Sequence, residues 1–131
     1  MVIGAYAVAF YTEPRYTKDL DIWVSNDTAN IKRLYKALVD FGAPLKNVFV
    51  EDFANKKMIY QIGVAPVRID IIMNLPGLKF ENAWEKRKKT NYGHVPINIL
   101  GIEELVSSKK RTKRERDILD IKKLTNKNFF N

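Results

Sequence analysis

Pro14-Arg15-Tyr16-Thr17-Lys18-Asp19-Leu20-Asp21-Ile22-Trp23-Val24 is the stretch that decides how this chain is read. A turn signal, Glu13-Pro14, runs into a strict alternation: Leu20, Ile22 and Val24 fall on one parity, Asp19, Asp21 and Trp23 on the other. That period of two is the signature of a β-strand, in which successive side chains point to opposite faces. The spacing therefore predicts a strand in which Asp19 and Asp21 point the same way and the other face is apolar. Two carboxylates one pleat apart repel each other, and water or a cation between them relieves the repulsion. A hard divalent cation with oxygen ligands suits such a pair, although surface strands also carry an Asp-x-Asp by chance.

Upstream, Val2-Ile3-Gly4-Ala5 reads as the end of a short strand meeting a glycine turn, and Tyr6–Tyr11 as a short, mostly buried helix. A glycine at a strand-to-helix turn lets backbone N–H groups approach a phosphate, and the same residue also serves ordinary turns. The first strand has almost no length, so it is either a stub or the remnant of a longer one.

Downstream, Asn26-Asp27-Thr28 offers a helix N-cap. Ile31, Leu34, Tyr35, Leu38 and Phe41 then follow at helical spacing up to Gly42 and Pro44, so residues 29–41 read as an amphipathic core helix. Residues 47–53 fit a strand or an irregular segment. Residues 57–73 read as a hairpin around Ala65-Pro66, with Met58, Tyr60, Ile62 and Val64 on one parity. In its second arm Ile69 and Ile71 share one face, and Arg68, Asp70 and Ile72 the other. Asp70 is thus a lone acid in an apolar strand, where an unpaired carboxylate is costly. It is either ion-paired, with Arg68 the nearest candidate, or a third carboxylate facing Asp19 and Asp21. Residues 80–88 read as a short helix with Phe80, Ala83 and Trp84 inward. Residues 94–100 read as a last strand, at a sheet edge because of Pro96. His94, the single histidine, reads as solvated. Two terminal helices follow, over 102–110 and 114–124, with Ile118 and Ile121 inward and Leu124 a further candidate for that face. Residues 125–131 read as frayed, with Phe129 and Phe130 suggesting some docking.

The totals bound what these pieces can build. At 131 residues and 46% apolar content, the chain suits one domain with a real core. The expected class is α+β: a mixed β-sheet flanked by helices, ending in a short helical C-terminus. With no cysteine, disulfides and thiolate zinc sites are excluded and an intracellular, cytoplasmic home is expected. No apolar run is long enough to span a membrane. The opening apolar residues lack a basic leader and do not read as a signal peptide. The net charge is +8, and the last 25 residues carry nine Lys or Arg against three acids, so a basic tail dominates. Such a surface favours anionic partners, although a solvated helix face is the commoner outcome for a charge run.

Taken together, strand, Gly-Ala turn, helix, Asp-x-Asp strand, helix, hairpin with one Asp, then terminal helices resembles the nucleotidyltransferase fold of the DNA polymerase beta-like superfamily. The nearer likeness is to small prokaryotic members of the AbiEii toxin type. It rests on Ile3-Gly4-Ala5-Tyr6-Ala7, Pro14-Arg15-Tyr16-Thr17-Lys18-Asp19-Leu20-Asp21, Arg68-Ile69-Asp70, and Leu105-Val106-Ser107-Ser108-Lys109 with Arg114, Asp117 and Asp120. Ala5 departs from the family's second Gly or Ser, which removes a hydroxyl but leaves backbone contacts.

The resemblance implies a Mg²⁺-dependent transferase, with ATP the expected donor and a protein or RNA hydroxyl the acceptor, in a toxin–antitoxin setting. Asp19, Asp21 and Asp70 would be the catalytic residues and the ligands of two Mg²⁺ ions. Gly4, Ala5, Arg15, Thr17 and Lys109 would surround the nucleotide, with a purely structural role also open to Arg15. Arg114, Asp117 and Asp120 are expected to form a structural helix-end network. The other expectation is a catalytically inert module of the same fold that binds nucleic acid or a partner protein through its basic C-terminal helices.

Overall fold

The computed structural model describes residues 1–13, 19–64, 66–112 and 115–130, without the side chains of residues 112, 115, 116 and 126–130. Arg15, Thr17 and Arg114, and the side chains of Phe129 and Phe130, lie outside the described parts. Among the described residues, six strands and five α-helices make an α+β fold. In chain order they are β1 (Val2–Ile3), α1 (Gly4–Tyr11), β2 (Asp19–Trp23), α2 (Thr28–Phe41), a 3₁₀ turn (Val50–Ala54), β3 (Ile59–Val64), β4 (Val67–Ile72), α3 (Phe80–Glu85), β5 (Lys88–Tyr92), β6 (Val95–Ile99), α4 (Ile102–Thr112) and α5 (Glu115–Phe130). No described helix is long and apolar enough to cross a membrane.

The strands form one mixed sheet in the order β3-β4-β2-β1-β6-β5. β2 runs parallel to β4, and β1 parallel to β6; the remaining neighbours are antiparallel. One cluster of buried side chains joins β1, β6 and the helices α1, α3, α4 and α5 around Trp23, Leu100, Leu105 and Leu124. A second joins α2, the 3₁₀ turn and the β3–β4 hairpin around Ile31, Leu38, Phe53, Tyr60 and Ile71. The Tyr60 hydroxyl also donates to the Pro44 carbonyl, tying the hairpin to the chain after α2.

α2 shows how local chemistry sets the boundaries. The Asp27 carboxylate accepts from the Asn30 N–H at 2.8 Å, satisfying a donor left free by the first turn. At the other end Gly42, at φ 86°, closes the helix in the left-handed region. Asp27→Ala is expected to destabilise the protein, read as a lower urea midpoint at unchanged m-value.

Several expectations are corrected. α1 opens at Gly4, and Tyr6 and Phe10 are exposed, so only Ala7 and Val8 of that helix are fully buried. Phe41, on the last turn of α2, is 66% exposed instead of core. Val64, at the turn end of β3, is exposed. Residues 50–54 wind into a 3₁₀ turn, with the Asp52 carboxylate accepting from the Phe49 N–H. α3 stops at Glu85, and β5, which the sequence reading missed, forms the sheet edge expected of β6.

Pro96 is tolerated inside the sheet for two reasons. β1 reaches β6 only at Val2–Ile99, so nothing in β1 faces Pro96. Toward β5, Tyr92 and Val95 close the two-residue turn, which makes Asn91–Pro96 a pair that exchanges no hydrogen bonds. On α5 the inward residues are Asp117, Asp120 and Leu124, whereas Ile118 is 47% exposed. The α5 backbone continues as helix through Phe130 instead of fraying at residue 125.

Candidate active site

β2 and β4 align residue for residue: Asp19 with Arg68, Asp21 with Asp70, Trp23 with Ile72. Side chains of registered neighbours project from the same face, so Asp19, Asp21 and Asp70 share one side of the sheet. The alternation around Asp21 and the apolar run around Asp70 thus meet in one place, although the two acids lie 49 residues apart in sequence.

Arg68 stands among them. It lies 3.1 Å from Asp19 through Nη2 and 3.0 Å from Asp70 through Nε. Its Nη2 also donates to Asp70 at 3.3 Å. The Nε–H is not aimed at Asp70 Oδ1, and both atoms are buried, so that contact is one of charge without a formed hydrogen bond. Asp21 is differently placed. Burial pushes its carboxyl up to about 6, and the charges of Asp70 and Asp19 push the same way, while Arg68 and Lys109 pull it partly back. This half-buried acid beside two others is the point of greatest negative charge crowding on the face.

β1 brings the glycine turn to the same spot. Ile3 is registered with Asp21, and the next residue, Gly4, sits at φ 68°. A Cβ built on Gly4 would lie 2.5 Å from Asp21 Oδ2, so the close approach of turn and carboxylate requires glycine. Ala5 follows in the first turn of α1 with a methyl group where a hydroxyl would stand in a Gly-Ser turn. Gly4→Ala is expected to lose about 1–2 kcal/mol from the left-handed backbone alone and more from the collision with Asp21. Gly42→Ala, where nothing lies within 4 Å, measures the backbone part alone. In an Asp21→Ala background the excess at Gly4 should vanish, a double-mutant cycle read by chemical denaturation.

Lys109, on α4, is placed in a neighbouring buried network. Its Nζ lies 3.2 Å from Asp117 and 3.1 Å from Asp120, carboxylates that are each 1% exposed. Asp117 and Asp120 are thus brought together around Lys109, a contact that the sequence reading did not give them, while Arg114 of the expected network lies outside the described residues. The signal was available: residues 117, 120 and 124 lie on one helical face. Sequence reasoning also missed that Arg68 pairs with Asp19 as well as with Asp70. The structure therefore gathers Gly4, Ala5, Asp19, Asp21 and Asp70, and sets Lys109 just behind them as a charge felt by Asp21. It leaves Arg15 and Thr17 outside the described residues.

Three carboxylates on one face are the donor set a hard divalent cation takes. As the side chains stand, no group of three or more His, Cys, Asp or Glu among the described residues is spaced to hold an ion. Arg68 fills the cation's role between Asp19 and Asp70. The fit is thus one of donor type and shared face, with Arg68 the side chain that would have to yield. A cavity of about 520 Å³ at the Trp23 end of β2, lined by Met1, Trp23, Asn30, Phe80 and Trp84 among others, has none of the three acids in its wall. Neither protein-family models nor the curated proteins provide a match to this chain.

Proposed function

We propose that the protein is a Mg²⁺-dependent nucleotidyltransferase. It moves a nucleoside monophosphate from an NTP, with ATP the expected donor, to a hydroxyl of a protein or an RNA. The toxin–antitoxin setting follows from the sequence resemblance. The observation that carries the reading is the register of Asp21 with Asp70, with Asp19 one pleat away and the Gly4 turn against Asp21.

In this reading Asp19, Asp21 and Asp70 are the residues that would hold the metal ions, whose chemistry would be to neutralise the triphosphate and stabilise the attacking and leaving oxygens. Asp70 takes the proton from the acceptor hydroxyl as its oxygen attacks the α-phosphorus and pyrophosphate departs. The backbone of Gly4 and Ala5 at the start of α1 favours phosphate, since the first N–H groups of a helix are unsatisfied and carry partial positive charge. Arg68, which now pairs with Asp19 and Asp70, is the side chain that would turn from these carboxylates toward the triphosphate if they held metal. Arg15, Thr17 and Lys109 complete the nucleotide's surroundings.

A second reading, the inert module binding nucleic acid or a partner protein through its basic C-terminal helices, is favoured by one specific feature. Arg68 already neutralises Asp19 and Asp70. Calorimetry with ATP and Mg²⁺ separates the two readings. Metal-dependent ATP binding in the wild type, lost in Asp21→Asn, supports the transferase. Indifference to nucleotide and to the substitution supports the module. A screen of labelled NTPs against candidate proteins and RNAs then identifies the acceptor.

A further inference from the structure

Between Glu85 and Glu103 the chain has four cations, Lys86, Arg87, Lys88 and Lys89, and no acid. This segment builds the β5–β6 hairpin. Lys88 and Lys89 are exposed on the outermost strand of the sheet. Arg87 is held in place, stacked 3.8 Å over the Trp84 ring and donating to Asn98. Among the described residues, the one carboxylate contact to these cations is Glu104 at 3.9 Å from Lys86, which is itself 62% exposed in its side chain.

Because β1 touches β6 only at Ile99, residues 95–98 have β5 on one side and no strand of the described residues on the other. The hairpin thus runs past β1 as a two-stranded ribbon, away from the Gly4 end of β1. Its end carries Tyr92, 80% exposed, and Val95, 60% exposed. An aromatic ring this exposed adds nothing to the core, and its flat face is open to stack on a planar group.

We propose that this ribbon is an arm that grips single-stranded RNA, the lysines following the phosphates and Tyr92 stacking on an unpaired base. Cations without acids match a polyphosphate chain, and an exposed aromatic at the end of a basic strand is how single strands are held without a sequence code. Duplexes keep their bases stacked and offer Tyr92 nothing. The registers Val2–Ile22, Val2–Ile99 and Ile99–Lys88 put Lys88 on the face of Ile22 and Lys89 on the face of Asp21. Tyr92 has the parity of Lys88, so the ring and Lys88 serve one face of the ribbon and Lys89 the other. As a statement about the acceptor this rests on the transferase reading. As a statement about RNA binding it does not.

The test is fluorescence anisotropy of the full chain with a labelled single-stranded RNA and the matching duplex, over a range of salt. Wild type is expected to prefer the single strand. Tyr92→Ala should weaken it about tenfold, while Tyr92→Phe keeps the affinity. Lys88→Ala/Lys89→Ala should lower the log–log salt slope by about 1.4. Circular dichroism and melting of the same variants should match wild type, because these side chains are exposed. Equal binding by wild type and all variants overturns the proposal, as does preference for the duplex. Displacement by an acidic peptide at equal charge concentration assigns the ribbon to a protein partner and overturns it too. Asp21→Asn is expected to bind RNA like wild type. Absence of nucleotide transfer by the wild type, with the ribbon effects intact, would refute the transferase reading and leave the arm standing.

Discussion

On the proposed transferase reading, Asp21→Asn should cut nucleotide transfer steeply, and on any reading it should make the protein more stable at neutral pH. The carboxyl is raised to about 6 by burial and by the charges of Asp70 and Asp19. A raised acid is protonated more readily in the folded than in the unfolded chain. Between about pH 4 and pH 6 the folded state therefore binds more protons, and stability falls as pH rises through that window. Above about 6 the penalty is fully present and constant. After allowance for the screening of a half-exposed group it amounts to about 1–2 kcal/mol. Melting curves of wild type and Asp21→Asn from pH 4 to pH 8 should diverge in this window, with the variant ahead at pH 7. The loss of transfer should reach roughly a thousandfold, since a metal contributes several kcal/mol to the transition state. Mg²⁺ should raise the wild-type midpoint at pH 7 and leave that of the variant in place. A variant no more stable than wild type at pH 7 would show that Asp21 is not crowded by its neighbours.

Lys109→Met should be the most destabilising single change considered. It leaves Asp117 and Asp120, both 1% exposed, without the cation that lies 3.2 and 3.1 Å from them. Breaking a buried pair from one side costs about 3–5 kcal/mol, a fall of about 10 °C or more in midpoint for a chain of this length. Replacing all three charges at once, as Lys109→Met/Asp117→Leu/Asp120→Leu, should recover much of that loss, because apolar groups of similar size often match a buried ion pair. The triple variant then separates two roles of Lys109. If it folds but fails to bind ATP, the lysine contributes to the nucleotide site. If it binds ATP normally, Lys109 serves only to anchor α4 to α5.

What could be read from the sequence was what repeats with a period. The parity of Asp19 and Asp21, the apolar face of α2 and its Asp27 cap, and the β3–β4 hairpin all rest on local patterns, and the structure shows them. That Asp70 would lie beside Asp21 required the strand order, which no local pattern contains. β5 was missed because Lys88-Lys89-Thr90-Asn91-Tyr92 has no apolar alternation. It is a strand by virtue of its ladder to β6, and being an exposed edge it has no need of a buried face. Ile118 was placed inward because hydrophobicity alone was counted. The inner face of α5 is instead partly acidic, and its partner, Lys109, comes from a different helix. Pro96 suggested that β6 is the edge strand, but β5 holds the edge, and Pro96 is tolerated inside because β1 pairs with β6 only at Ile99.

β1 is two residues long and stands in the middle of the sheet. Everything that carries the acids, β2 and β4 with β3, lies to one side of Val2 and Ile3, and everything that carries the basic ribbon lies to the other. The splice between these halves consists of the β1 pairings and a few flanking bonds, such as Leu100 N–H to the Val2 carbonyl and Trp23 N–H to the Met1 carbonyl. The seam that sets the spacing between carboxylates and ribbon is therefore also the shortest ladder in the molecule.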